Sequence, residues 1–399
     1  MHTSARSIPE PLFPTFAKQE YSTRHGKIRE AMQRAGIDLL LATERENVEY
    51  ISGYLSSHWF MHGIIPGVVL FPLFGEPCLI VPKFWLGTAQ KKSWIRSIFV
   101  HPNTHSDPES FAEFVVEIIQ QHSWDKAAIG YEAGEEMKLG MPIQQFDHIR
   151  ARLLGAQWAP CGSILWSART IKSPMEVELL RRAAVGTCRA LERVRDATHP
   201  GMTESQIGQL IRQFQIAEGC EDRQFLNVRC GADRYSMTDT LPEDRPIQLG
   251  EILILDIGMH RRGYWSDTAR CASIGAPSDS YLRTYETVGK ALEAALRTIC
   301  DGALASAPYH AARSVMDDAG HVVHIDMMGH GIGMGMYEPP MLSPIVEGTL
   351  KAGMVLCVEP WITLSDNRGV LCREESVVVT EDGYEMLTSP NAQDLWTID

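Results

Sequence analysis

The sequence predicts an α/β N-terminal domain over residues 1–160 and an α+β C-terminal domain over residues 161–399. Three observations carry this division: helical and strand-like segments alternate over 24–160, a strong helix start appears at Ser173, and apolar strands dominate from about residue 223. At roughly 150 residues per domain, 399 residues suffice for two or three domains with substantial cores.

In the first part, helical periodicity over 24–36 leads into an apolar strand at 38–42. Further strands at 67–71 and 78–81, a helix at 109–121 and a strand at 127–131 complete the alternation. In Ser173-Pro-Met-Glu176, serine at the N-cap, proline at N1 and glutamate at N3 form a capping box. Its side chains satisfy backbone N–H groups that a helix start leaves unpaired. Val177, Leu180, Ala184, Cys188 and Leu191 then keep to one helix face, as do Ile207, Leu210, Ile211 and Phe214 after Thr203. Two more helices are expected near 280–300 and 308–319.

Apolar residues make up 44% and charged residues 22%, which excludes a disordered, collagenous or coiled-coil chain. The formal charge of −13 argues against nucleic acid or an anionic membrane as partner and leaves cationic or zwitterionic small molecules open. Nine cysteines, none closer than ten residues to the next, contain no CxxC motif and fit a reducing compartment. The first 18 residues carry three prolines and no apolar core of a signal peptide, and the most apolar run, 63–75, is broken by Pro66 and Pro72. A cytoplasmic location is the expectation.

Five potential metal ligands stand in the second half. Asp256 and Asp267 lie on either side of a predicted turn at 260–263, so two returning strands present both carboxylates on one face. His330 sits in Met328-Gly-His330-Gly-Ile-Gly333, where the glycines permit close backbone approach. Glu359 and Glu374 belong to a second predicted hairpin, and a glutamate beside Val355-Leu-Cys-Val is costly to bury unless paired or metal-bound. Each fragment alone is ordinary; two aspartates eleven apart are usually surface residues. The order Asp, Asp, His, Glu, Glu with intervals of 10, 62, 28 and 14 residues carries the signal. Four carboxylates and one imidazole match two divalent ions, and mainly oxygen ligation suits Mn, Fe, Co or Zn. Two such ions acidify a water and polarise a scissile carbonyl.

On these residues the chain resembles the pita-bread metalloenzymes, the superfamily of methionine aminopeptidase, aminopeptidase P, prolidase and creatinase. Asn47-Val-Glu-Tyr50-Ile-Ser-Gly53-Tyr54 is similar to a stretch of the family's N-terminal domain, and Arg169-Thr-Ile-Lys172-Ser173-Pro-Met-Glu176 to the start of its C-terminal domain. The resemblance implies a pita-bread catalytic domain with metal ligands Asp256, Asp267, His330, Glu359 and Glu374. Glu374 is preferred to Glu375 because it lies six residues before Thr380, and Glu359 is the implied proton shuttle.

The chain departs from the peptidase pattern at three histidine positions, which read Asp239, Asp326 and Tyr337, and an arginine two residues before the last glutamate is Cys372 with Arg373 adjacent. Asp239 and Asp326 are therefore expected to bind a cationic group of the substrate, with Tyr337 catalytic. The aromatic stretch at 56–62 stands where larger members of the family send a loop into the partner subunit's active site, so the resemblance implies a homodimer in which Trp59 and Phe60 bind substrate through their rings. Trp265 and Trp361 flank metal ligands and are expected in or near the wall of the site.

The leading reading is a dinuclear metal-dependent hydrolase cleaving an amide or other C–N bond, either of an Xaa-Pro dipeptide or of a small cationic or zwitterionic non-peptide. Two alternatives are a metal-dependent lyase acting on dimethylsulfoniopropionate and a non-catalytic pita-bread binding module.

Overall fold

Residues 10–60, 65–102, 108–134, 136–221, 223–238, 240–321, 326–364, 369–388 and 394–399 are described by a computed structural model. They divide into two compact units, Met1–Arg169 and Thr170–Asp399. The division falls beyond the expected boundary at 160, because the helix Gly162–Arg169 packs against the first helix of the chain, Lys18–Ala35.

In the first unit, α1 (Lys18–Ala35) ends at Gly36, whose positive φ of 67° lets the chain turn into β1 (Leu39–Ala42). There follow α2 (Arg45–Ser52), β2 (Val68–Pro72), β3 (Cys78–Pro82), α3 (Leu86–Lys92), β4 (Ser97–His101), α4 (Pro108–Gln121), β5 (Ala128–Tyr131), α5 (Ile143–Arg152), β6 (Gln157–Pro160) and α6 (Gly162–Arg169). The strands form one mixed sheet in the order β4-β3-β2-β1-β5-β6. Leu39, Leu41, Val68, Leu70 and Ile80 meet Val115, Ile118 and Ile119 of α4 in its core.

Helix α2 lacks a side-chain cap from its own N-cap residue, Glu44. Glu132, after β5, takes that role: its carboxylate accepts from Thr43 N, Glu44 N and Asn47 Nδ2. Asn47 Oδ1 in turn accepts from Arg169 Nη1 at 2.7 Å, and Tyr50 Oη donates to Ala168 O. At Gly53, with φ of 75°, a Cβ would meet Tyr21 Oη at 2.8 Å. The stretch 47–54 is thus a structural joint that ties α2 to β5, α6 and α1.

The second unit opens with α7 (Pro174–Ala197), whose capping box forms as the residue types require, and α8 (Glu204–Ala217), which carries a second one from Thr203 and Gln206. β7 (Gln224–Cys230), β8 (Ile252–Arg261), β9 (Tyr264–Trp265) and β10 (Thr268–Ile274) precede α9 (Asp279–Leu296) and α10 (Ala307–Asp318). After them come β11 (Gly329–Gly331), β12 (Glu338–Met341), β13 (Val355–Val358), β14 (Trp361–Thr363), β15 (Val370–Cys372), β16 (Glu375–Val379), β17 (Tyr384–Met386) and β18 (Trp396–Ile398). One sheet runs β18-β10-β8-β7 and another β12-β11-β13-β16-β17, while β14 pairs with β15. On β8, Leu253, Leu255 and Ile257 face α7 and α8, whereas Ile252 and Ile254 face a second core shared with α9, α10, β13 and β16. A strand buried on both faces has no solvent side to which a charge can turn. No described helix is long and apolar enough to cross a membrane.

Candidate metal centre

The pleat of β8 places Asp256 in the row of Ile252 and Ile254, pointing into the interior. In register, Asp256 lies opposite Asn227 on β7 and Ala269 on β10. Asp267, two residues before Ala269, occupies the break between β9 and β10. In the facing sheet, His330 of β11 is opposite Cys357 of β13, which is opposite Ser376 of β16. Glu359 follows β13 directly and Glu374 immediately precedes β16, each two residues from one of these partners and so directed to the same face. The expected second hairpin is split in two: β13 pairs with β16, β14 with β15, and the glutamates stand at the breaks.

The glycines around His330 have a steric cause. Gly329 has φ of 143°, and a Cβ there would strike Cys357 O; one on Gly331 would meet Pro339 O. His330 Nδ1 lies 3.0 Å from Gly331 O, and since a carbonyl only accepts, Nδ1 carries a proton and Nε2 is the ring nitrogen directed at Asp267 and Glu359.

One oxygen each from Asp256, Asp267 and Glu374 lie within 4.8 Å of one another, and the same holds for donor atoms of His330, Cys357 and Glu374. Glu374 joins the two groups. His330 Nε2 stands 3.7 Å from Asp267 Oδ2 and 3.6 Å from Glu359 Oε1, beyond hydrogen-bond reach. Asp267 Oδ1, His330 Nε2, Glu359 Oε1 and both oxygens of Glu374 are buried without a hydrogen-bond partner. Leaving one such atom unsatisfied costs about 1–3 kcal/mol, and more when charged, so five converging on one space need a cation. The donor set fits divalent metal.

Electrostatics agree. Burial, then the mutual repulsion of Asp256, Asp267, Glu359 and Glu374, pushes the carboxyls of Asp256 and Glu374 well above the usual range. Burial likewise raises Glu359, against the pull of His330 and the hydrogen bond from Trp361 Nε1 to Glu359 Oε2 at 3.0 Å. Burial alone would lower the His330 imidazole, but Asp267 and Glu359 outweigh it and hold it above its ordinary value. Glu375 does not enter the group: its carboxylate is taken by Arg270 Nη2 at 2.9 Å and by Thr388 Oγ1.

Tyr337 stacks on the His330 ring with centroids 4.1 Å apart and is about half exposed at the rim. Burial and then Glu359 push its phenol far above the ordinary value, so the hydroxyl keeps its proton. The loop bearing it is fixed by Glu338, which accepts from Lys172 Nζ at 3.0 Å and Gly335 N at 3.0 Å. Trp361 touches the centre through Glu359, whereas Trp265 packs on His260 and beneath Arg223. Asp326 is exposed and outside both donor groups. Trp59 packs edge-on against Tyr54 within the first unit. Asp239 and the side chain of Phe60 lie outside the described residues. Arg373, just after β15, does not stand in for the arginine replaced by Cys372, because its guanidinium lies over Tyr285 of α9.

Three neighbours of the centre escape a ligand-spacing search. Asn227 Nδ2 donates to Asp256 Oδ2 at 3.2 Å, Arg229 lies 5.6 Å from the ring of Trp361 with its Nη1 bonded to Met237 O, and Cys357 joins the second donor group. Polar residues at every second position of the buried strand Leu226-Asn227-Val228-Arg229 are a readable signal for the first two.

The family model of metallopeptidase family M24 matches residues 178–381, just over half of the chain. The chain belongs to metallopeptidase family M24. This M24 protein is a metal-dependent hydrolase with the pita-bread fold, and the model of the creatinase/prolidase N-terminal domain matches its residues 24–171. It is 26% identical over 368 residues to an uncharacterized peptidase, YqhT, of Bacillus subtilis, covering 91% of this chain and 96% of the relative. An Xaa-Pro dipeptidase of Lactobacillus helveticus is 24% identical over 365 residues, covering 91% and 95%. Among solved structures, dipeptidase PepE of Mycobacterium ulcerans superposes with a TM-score of 0.81 at 27% identity, over 96% of this chain and 99% of that one. The prolidase of Thermococcus sibiricus shares the fold, with a TM-score of 0.85 at 22% identity over 96% and 100%.

Proposed function

We propose that this M24 protein is a dinuclear metal-dependent hydrolase that cleaves the amide bond of a dipeptide-sized substrate, with Xaa-Pro dipeptides as the first class. The supporting observation is the convergence of five buried, unpartnered donor atoms from Asp267, His330, Glu359 and Glu374, with Asp256 beside them. Asp256, Asp267, His330, Glu359 and Glu374 would hold two ions of Mn, Fe, Co or Zn. When bound, such ions lower the pKa of a water and polarise a carbonyl oxygen.

The protein's own groups then manage the proton. Trp361 Nε1 anchors Glu359 Oε2 and leaves Oε1 as the basic atom. A buried carboxyl with a raised pKa takes a proton from the attacking water and returns it to the departing nitrogen. Tyr337 retains its hydroxyl proton and offers it as a donor at the rim, held by its stack on His330. Asp326 lies exposed on the approach to β11, where it would attract a substrate ammonium. We further propose a cytoplasmic homodimer in which Trp59 and Phe60 line the partner's active site and Asp239 assists Asp326. Tyr337 in place of a peptidase histidine favours a second reading, a small zwitterionic non-peptide amide.

The test is an activity panel on protein reconstituted with Mn²⁺, Co²⁺ or Zn²⁺, setting Xaa-Pro dipeptides against creatine, ectoine and dimethylsulfoniopropionate. Release of proline, abolished by Asp267→Ala, is the expected result. Turnover of creatine or ectoine alone would select the second reading, whereas cleavage of dimethylsulfoniopropionate, which breaks a C–S bond, or a protein that binds no divalent ion would refute both.

A further inference from the structure

The second donor group contains a thiol, and nothing in the five-ligand arrangement requires it. Cys357 is fully buried at the centre of β13, between His330 of β11 and Ser376 of β16, on the same face as Glu359 and Glu374. Its Sγ lies within 4.8 Å of donor atoms of both His330 and Glu374. Two ligands at about 2.0–2.3 Å from one ion are at most ~4.6 Å apart, so these atoms are within a small inward movement of a shared cation. His330 Nε2 and both Glu374 oxygens have no hydrogen-bond partner, and Cys357 Sγ lies 3.4 Å from Ser376 Oγ.

We propose that Cys357 is a sulfur ligand of the metal position formed by His330 and Glu374, giving that position a preference for thiophilic divalent ions such as Zn²⁺, Co²⁺ and Cd²⁺ over Mn²⁺. The proposal deepens the dinuclear reading and rests on it. The coordination step balances simply: the metal–sulfur bond forms, the S–H bond breaks, and one proton per ion goes to solvent. Nitrogen and oxygen ligands already favour Co²⁺ and Zn²⁺ over Mn²⁺, and one soft sulfur ligand widens that gap and extends it to Cd²⁺.

The experiment loads the full chain with Co²⁺ as its sole metal and records the absorption spectrum. A sulfur-to-cobalt charge-transfer band in the near ultraviolet, beside the visible d–d bands, is the expected result. In Cys357→Ser the charge-transfer band disappears, the d–d bands remain, and the preference for Cd²⁺ over Mn²⁺ falls by roughly tenfold or more. If Cys357→Ser does not fold, cobalt-edge X-ray absorption on the unsubstituted protein decides by the presence or absence of a sulfur scatterer. Visible bands without a sulfur signal, or a charge-transfer band that survives the substitution, overturn the thiol ligand and leave the metal centre standing. Failure to bind Co²⁺ at all overturns both.

Discussion

The buried pair Lys172–Glu338 offers a sharp test of how the centre is held. Both side chains are almost fully inaccessible, and their 3.0 Å contact joins the segment before α7 to the loop carrying Tyr337. In Lys172→Met the aliphatic volume is largely kept, but the carboxylate loses its counter-charge and retains Gly335 N as a hydrogen-bond donor. Removing one partner of a buried ion pair typically costs about 3–5 kcal/mol. For a unit the size of Thr170–Asp399, at about 2–4 °C per kcal/mol, the second unit should melt roughly 6–20 °C lower. Calorimetry reads this directly. The double variant Lys172→Met/Glu338→Gln should recover part of the loss, since neither charge remains buried. A fall in Tm of less than about 2 °C in the single variant, or a double variant no more stable than the single one, would refute the assignment of the pair as a structural clamp.

Other consequences can be measured independently. Glu44 is mostly buried and its carboxyl is pushed up to about 7 by burial, then by Glu46 and Glu132. The folded state therefore binds its proton more tightly than the unfolded state, whose value is near 4.5. The resulting stabilisation of the first unit, up to about 3 kcal/mol, is present below that value and is lost as pH rises to about 7. Glu44→Gln should flatten this slope in denaturant titrations run at several pH values. Asn47→Ala removes the bonds to Glu132 and Arg169 and should destabilise the first unit by about 2–3 kcal/mol in urea melts, with metal content unchanged. Trp361→Phe withdraws the donor that favours ionised Glu359; the acidic limb of kcat/KM should move to higher pH, and an unmoved limb would count against Glu359 as the base.

The local rules were strong where a helix begins or a strand is buried. Ser173 and Thr203 announced their helices through capping boxes, and the apolar runs around residues 40, 70, 80 and 255 announced strands. The start of α2 was not readable in the same way, because its cap comes from Glu132, 88 residues from Glu44. The placement of α6 is likewise a long-range matter, since it packs on α1, more than a hundred residues earlier in the chain.

At the centre, order and spacing singled out Asp256, Asp267, His330, Glu359 and Glu374, since ligand chemistry restricts residue type and the intervals between strands restrict position. Which atoms of these side chains lack partners, and which neighbours share their face, depends on register between strands distant in sequence. Only that register brings Cys357 beside His330, Asn227 against Asp256 and Trp361 onto Glu359, and turns Arg373 away while Glu374 faces inward. A side-chain period of two makes each of these outcomes hinge on a single residue of pairing, and pairing is a property of the folded sheet.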